Sequence, residues 1–485
     1  MQNYEFSLEF NPDVMQRIYS LIKEDPAYLP RPYRGGLLRI DEALHDINDT
    51  RALRIGDGIV HEAGDLFGKQ FPHSKAIVVA DSNTWGIAGE AVEASLRQAG
   101  ISMADNMVLP AEGLTANYDT MNALMNHFKT LGNDMVPVAV GAGTVNDLVK
   151  LAAHLAGCRY MCVPTAASMD GYTAYGAKIL VNGIRQQIPC AGPQAVLADT
   201  AVIMNAPSDM TASGFMNLMA KMTAGADWIL ADWLGIEQIN EKAWRISQSG
   251  FHEALMLTED KFRKNDSGKL KVEKLVEGLM LAGFATQVMK SDMPTAGAEH
   301  LLSAVWESER DTNNDKTLPH GVLLGIAEIA MVKLYTKLIN TSMGKLDVAK
   351  CVAAWPDSDT YEQQAQEALQ KMGLGELSMK QARTNYVSRE QLSMQLQQLK
   401  EYWPEVKDRL SQQIMPVSEL KKRMRSIGLP VLPEKIGVSS EHLRQTLECA
   451  PYISKRFNIF SLAHRTGLLK QWLDGMFSKP GMLEA

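Results

Sequence analysis

Between residues 75 and 164 short apolar runs alternate with helix-length amphipathic segments, and few chain architectures accommodate that rhythm. KAIVVADSNTW (75–85) is followed by the helical GEAVEASLRQAG. MVPVAVGAGT (135–144) is followed by VNDLVKLAAHLAG, and then YMCVPTAAS begins. Apolar runs of strand length joined by amphipathic helices are the signature of βαβ units, so the spacing predicts a mainly parallel sheet. Past about residue 205 the rhythm stops and long helical patterns take over: TASGFMNLMAKMTAGADWILADWLG, VEKLVEGLMLAGFATQVMK and GVLLGIAEIAMVKLYTKLI. A chain of 485 residues exceeds one ordinary core. The predicted class is therefore α/β plus all-α, with an α/β region at 51–205 and an all-helical region at 206–485. Residues 1–50, with a helix-like patch at 14–23, read as an N-terminal extension. Residues around 350–410, including the glutamine-rich SMQLQQLKEYWPEV, read as a helical insertion.

Composition narrows the function classes. Hydrophobic residues make up 46% and charged residues 22%, with a formal charge of −7 and a pI near 5.9. No basic excess points to nucleic acid. No window supplies the roughly eighteen apolar residues of a membrane span, and the N-terminus MQNYEFSLEFNPDVMQ is no signal peptide. A cytoplasmic protein is expected. The five cysteines are odd in number and sparse, and Cys158 and Cys162 have no second close pair, so reduced structural thiols are expected rather than a zinc site.

Gly141 and Gly143 stand between a strand and a helix in VAVGAGTVNDLVK. That placement lets the backbone turn tightly and brings N–H groups and a helix N-terminus near an anion. The pattern is neither GxGxxG nor a P-loop, and a plain strand-to-helix turn explains it equally. Thr144 could cap the helix or bond a phosphate. The loop VPTAASMDGYTAYGAKI (163–179) again follows a short strand and offers Thr165, Ser168 and Asp170, while DSNTW (81–85) ends a third. Loops at the carboxyl ends of parallel strands are where open α/β sheets bind ligands, so a dinucleotide site is expected there.

GAEHLLSAVWESE (297–309) and HGVLLGIAEIA each carry a histidine, His300 and His320, near the start of a long helix. Gly321 and Gly325 would permit close approach. Imidazoles on facing helices suit a divalent cation. On these residues alone, a buried core histidine remains an equal reading.

The order GAGTVND, PTAASMDGY, SGFMNLMAK…ADW, GAEHLLS and HG…G, then SELKKRMRSIGLPVLPEKIGVSSEHLRQTL, resembles the glycerol-1-phosphate dehydrogenase family. The likeness is to its bacterial AraM-type branch, within the dehydroquinate synthase / iron-containing alcohol dehydrogenase superfamily. It spans roughly residues 52–345 and 415–475. It implies a Rossmann-like N-terminal domain, a helical C-terminal domain, and a cleft where dihydroxyacetone phosphate and sn-glycerol 1-phosphate are interconverted with NAD or NADP. Asp81 slightly favours NAD.

Carried across, Gly141, Gly143, Thr144 and Asp147 fall in the cofactor phosphate turn, Thr165 and Ser168 beside the cofactor, and Asp81 and Asn83 at the adenosine end. Asp170 falls at a substrate contact, and His300 and His320 at two ligands for zinc, nickel or iron. The family's third ligand, an aspartate, is Asn217 here, a neutral and weaker donor. A substrate-contacting histidine is Ala304, and a serine is Ala174. The resemblance also implies a homo-oligomer, a dimer, with a small phosphorylated substrate. The three departures keep two alternatives open. One is a diverged enzyme with weak or no metal and another substrate; the other is a non-catalytic nucleotide-binding or regulatory protein.

Overall fold

A computed structural model describes residues 38–181, 184–256, 272–313 and 318–478. The helix-like patch at 14–23 lies outside them. The sheet has six parallel strands in the order β1-β8-β5-β4-β2-β3: β1 (Ala52–Gly56), β2 (Lys75–Asp81), β3 (Met107–Leu109), β4 (Met135–Gly141), β5 (Met161–Pro164) and β8 (Ala195–Asp199). The remaining strands, β6 (Ala177–Val181) and β7 (Ile184–Ile188), form a separate antiparallel pair.

Every residue of β4 is buried, as are the middle five of β2, which explains the unbroken apolar runs of a sheet covered on both faces. Alternation divides them. Ile77 and Val79 pack with Met121, Leu124 and Phe128 of α3 (Tyr118–Leu131) and Leu148 and Val149 of α4 (Gly143–Ala156). Val78 and Ala80 pack with Leu66 and Phe67 of α1 (Ala63–Gln70) and Val92 and Leu96 of α2 (Glu90–Gln98). α4 stops at Gly157, whose left-handed φ of 79° suits a residue without Cβ.

From residue 208 the chain is helical, and its apolar residues join the core face occupied by α3 and α4. The elements that matter for the site are α5 (Ser208–Met219), α6 (Lys221–Trp233), α7 (Glu241–Met256), α8 (Glu273–Met289), α9 (Ala298–Asn313) and α10 (His320–Ile339). The single helix expected from TASGFMNLMAKMTAGADWILADWLG is two, broken at Ala220. Before β1, Ala43 and Ile47 pack on Ile246 of α7 and Leu281 and Phe284 of α8. Residues 348–401 are helical, as the sequence predicts. All five cysteines are free, and burial pushes the Cys162 and Cys449 thiols up to about 12. Among the described residues no helix is long and apolar enough to cross a membrane.

Candidate active site

The three loops singled out in the sequence follow β2, β4 and β5, which are neighbours in the sheet. β3 lies outward of β2 and β5 on the opposite side of β4, so the strand order reverses between β2 and β4, where open sheets bind ligands. At this crevice α4 begins after Ala142 with no side-chain cap, which leaves its first N–H groups to the loop edge; Thr144 does not cap it. Thr165 is buried, and its N–H donates to Gly141 O at 3.1 Å, tying two loops together. Asp81 caps the turn at 82–84 by accepting from the N–H groups of Asn83 and Thr84, both at 2.9 Å. Asn83 is exposed at the rim. Ser168 Oγ lies 2.9 Å from the Tyr172 hydroxyl. Asp147 is placed differently from a cofactor contact: it is buried, beside Lys150 at 3.7 Å, and accepts the Lys178 N–H at 3.2 Å.

Lys150 itself is fully buried, and its ammonium donates to the carbonyls of Gly171, Ala174 and Gly176. Those bonds fix the loop carrying Asp170. A close backbone approach fixes its other side: a Cβ on Gly214 would come within 2.0 Å of Ala167 O. Gly321 likewise brings α10 against α5, since its Cβ would meet Ser213 O at 2.2 Å. Gly325 meets only methionine side chains.

Asp170 and Asn217 are brought together around Lys221. The buried Lys221 ammonium donates to Asp170 Oδ2 at 2.7 Å, Asn217 Oδ1 at 3.2 Å and Thr295 O at 3.0 Å. The Asp170 N–H also donates to Asn217 Oδ1, at 3.3 Å. Burial alone would raise the Asp170 carboxyl, but the charge and hydrogen bond of Lys221, with Lys178, hold it below the usual carboxylate range.

The two histidines face each other with ring centroids 5.4 Å apart. His300 Nδ1 lies 2.8 Å from Glu299 Oε1, and His320 Nδ1 contacts Glu307 Oε1. A carboxylate on Nδ1 orients the ring and leaves Nε2 as the free lone pair, the arrangement found behind metal-bound imidazoles. His320 Nε2 is buried with no hydrogen-bond partner. Burial, then Lys178, Lys221 and His320, hold His300 well below the ordinary imidazole range, so it is neutral near pH 7. For Glu307 burial acts upward, but the hydrogen bond with His320, with Lys178 and Arg185, outweighs it and holds the carboxyl below its usual range.

The two imidazoles therefore fit a divalent cation. The third position does not complete the set, because the Asn217 oxygen is neutral and already accepts an ammonium and an amide. Among the described residues no group of three or more His, Cys, Asp or Glu side chains is arranged to hold a metal ion. Ala304, one helical turn after His300, is exposed, and Ala174 is buried with its carbonyl on Lys150.

Behind His300 a chain of buried groups escaped sequence reasoning. Thr223 Oγ1 lies 2.9 Å from Glu299 Oε2 and 2.5 Å from Glu328 Oε2. A hydroxyl has one proton to donate, so one carboxyl must donate in return. Glu328 is that acid: burial, then Glu299, pushes it well above the usual range. Lys150, Lys221 and Glu328 sit in otherwise apolar helical patterns, and a buried charge there was the only available signal.

The model of the iron-containing alcohol dehydrogenase family matches residues 54–207. A glycerol-1-phosphate dehydrogenase [NAD(P)+] of Bacillus licheniformis is 30% identical over 303 residues, 62% of this chain and 74% of the relative. The chain belongs to the glycerol-1-phosphate dehydrogenase family. The enzyme of the same name from Methanothermobacter thermautotrophicus is 30% identical over 59% of this chain and 78% of its own length. Among solved structures, a probable glycerol dehydrogenase from Sinorhizobium meliloti 1021 superposes with a TM-score of 0.56 at 14% identity, covering 88% of this chain and 98% of that one. An alcohol dehydrogenase from Oenococcus oeni gives 0.54 at 16%, covering 88% and 99%. At those identities the structures establish the shared fold, and the family membership rests on the sequence relatives.

Proposed function

We propose that this chain is an NAD(P)-dependent dehydrogenase interconverting dihydroxyacetone phosphate and sn-glycerol 1-phosphate, or a related small polyol phosphate. The dinucleotide is assigned to the loops carrying Asp81, Asn83, Gly141, Gly143, Thr144, Thr165 and Ser168, with Asp147 bracing them, and substrate to the cleft formed with residues 206–485. The observation that carries the reading is the convergence on one cleft of Asp170, kept ionised by Lys221, and two carboxylate-oriented imidazoles with Nε2 lone pairs. A dication on His300 and His320 would act as a Lewis acid on the substrate carbonyl, and bound NAD(P)H would supply the hydride. The protein's own contribution is orientation. Lys221 leaves Asp170 available to accept a substrate hydroxyl, Glu299 and Glu307 hold the rings in one tautomer, and packed α5 and α10 exclude water.

The exposed Ala304 leaves space where the family resemblance implies a histidine, which favours tolerance of a somewhat different small polyol phosphate. The experiment is calorimetric titration with NAD(H) and NADP(H), followed by a panel of small carbonyl substrates with added zinc, nickel or iron. Dinucleotide binding and turnover of a phosphorylated ketose are expected. Dinucleotide binding without turnover of any panel member would leave a regulatory protein instead, and no binding at all would remove both readings.

A further inference from the structure

The pair β6–β7 aligns Lys178 with Gln187 and Leu180 with Arg185. Residues directly opposite across an antiparallel pair share a face, so Lys178, Leu180, Arg185 and Gln187 project from one side. The other side carries Ala177 and Ile179, which are buried in the core. The basic face is turned toward the histidine cleft. Arg185 Nε approaches Glu307 Oε2 at 3.8 Å, and the other oxygen of Glu307 holds His320. Lys178 is pinned at its backbone by Asp147 Oδ2, yet its side chain is exposed. Among the described residues its ammonium forms no ion pair. Its charge nevertheless lowers Asp170, His300 and Glu307, the polar groups of the cleft.

We infer that Lys178 and Arg185 form the anion subsite that grips the phosphate of the substrate. This rests on the function proposed above and deepens it by assigning the group that selects a phosphorylated polyol over a plain one. The two residues are diagonal neighbours across the strand pair, with Cβ atoms about 7 Å apart in such ribbons, so two long cationic side chains converge on one tetrahedral dianion. A planar guanidinium has five donors and can serve Glu307 and a phosphate oxygen together. Because Glu307 links Arg185 to His320, a phosphate held there stands one carboxylate away from an imidazole of the reacting end, a separation suited to a three-carbon substrate.

The test compares dihydroxyacetone phosphate with dihydroxyacetone in the wild type, Lys178→Gln, Arg185→Gln and the double variant. Each single substitution is expected to raise KM for the phosphorylated substrate at least about tenfold, with kcat within about twofold. The loss on dihydroxyacetone, which has no phosphate to hold, should be far smaller than the loss on the phosphorylated substrate, and Lys178→Arg should restore most of the latter, a split that a merely structural role would not give. An unchanged KM in the double variant overturns the subsite while leaving the dehydrogenase reading intact. If the wild type turns over no phosphorylated ketose, that reading fails by itself, and calorimetry with inorganic phosphate decides the subsite separately. Phosphate heat present in the wild type and lost in the double variant upholds it; equal heats, or none in either, overturn it.

Discussion

At the ends of β2, β4 and β5 the polar work falls to the backbone, whereas between α9 and α10 it falls to side chains. The loops present N–H groups of an uncapped helix and are tied by main-chain bonds such as that from Thr165 to Gly141. The cleft depends on named carboxylates, imidazoles and ammonium groups in fixed pairs. A backbone-built site survives most substitutions that keep the turn. A side-chain-built site changes with a single residue, and the departures at Asn217, Ala304 and Ala174 all belong to the substrate and metal side. On the function proposed above, the protein combines an intact nucleotide frame with an altered reacting end.

Four substitutions would break or sharpen that contrast. His320→Ala should lower kcat/KM by on the order of a thousandfold while NADH affinity stays within about twofold. Steady-state kinetics and calorimetry on one preparation check both halves, and a parallel loss of NADH binding would erase the division between the regions. Thr223→Val should cost about 2 kcal/mol in urea unfolding, because it leaves Glu299 Oε2 and Glu328 without their shared hydroxyl.

His464, outside both regions, provides a control on a half-buried polar group. Burial, with Arg465 beside it, lowers this imidazole from 6.5 to about 4 among Trp355, Tyr361 and Tyr452. The folded value lies below the unfolded one, so between them the unfolded chain binds more protons. Stability is therefore complete above about pH 6.5 and falls as pH drops toward 4, by on the order of 2 kcal/mol. His464→Phe should flatten that acid limb in melting curves, and an unchanged limb would assign it to other groups. The smallest effect is expected for Gly143→Val, whose Cβ would come within 2.7 Å of the flexible Met169 side chain. NAD(P)H binding should weaken about tenfold, with affinity for a phosphorylated product analogue unaltered.

Much of the sheet was legible because its central strands are buried on both faces and punctuated by turns. KAIVVAD, MVPVAVG and MCVP stand out as apolar runs. The short ALRIG and AVLAD of β1 and β8, and the β6–β7 pair, are too brief or too mixed to stand out, and only pairing in space defines them. The candidate site was half legible. Placement at element ends singles out His300, His320 and Asp170, the family resemblance implies their roles, and the structure joins them to partners distant in sequence. Glu307 reaches His320 across 13 residues, and Lys221 reaches Asp170 across 51. The break at Ala220 was hidden because TASGFMNLMAKMTAGADW keeps a helical period through it, while Asn217 and Lys221 on either side turn to one cluster.

Whether residue 217 sets the metal affinity of the cleft while the nucleotide frame stays untouched is decided by comparing the parent with Asn217→Asp. Metal content after dialysis, zinc and nickel titration, and NADH titration would be run on both. If residue 217 holds the third ligand position that the family resemblance implies, a carboxylate there adds an anionic donor to the two imidazoles, where low dielectric strengthens attraction to a dication. Metal affinity should rise at least about tenfold, melting temperature should climb with added metal in the variant, and NADH affinity should be the same in both proteins. Equal metal affinity in parent and variant would contradict the account, placing Asn217 outside the ligand set and leaving the cleft to be rebuilt around Asp170.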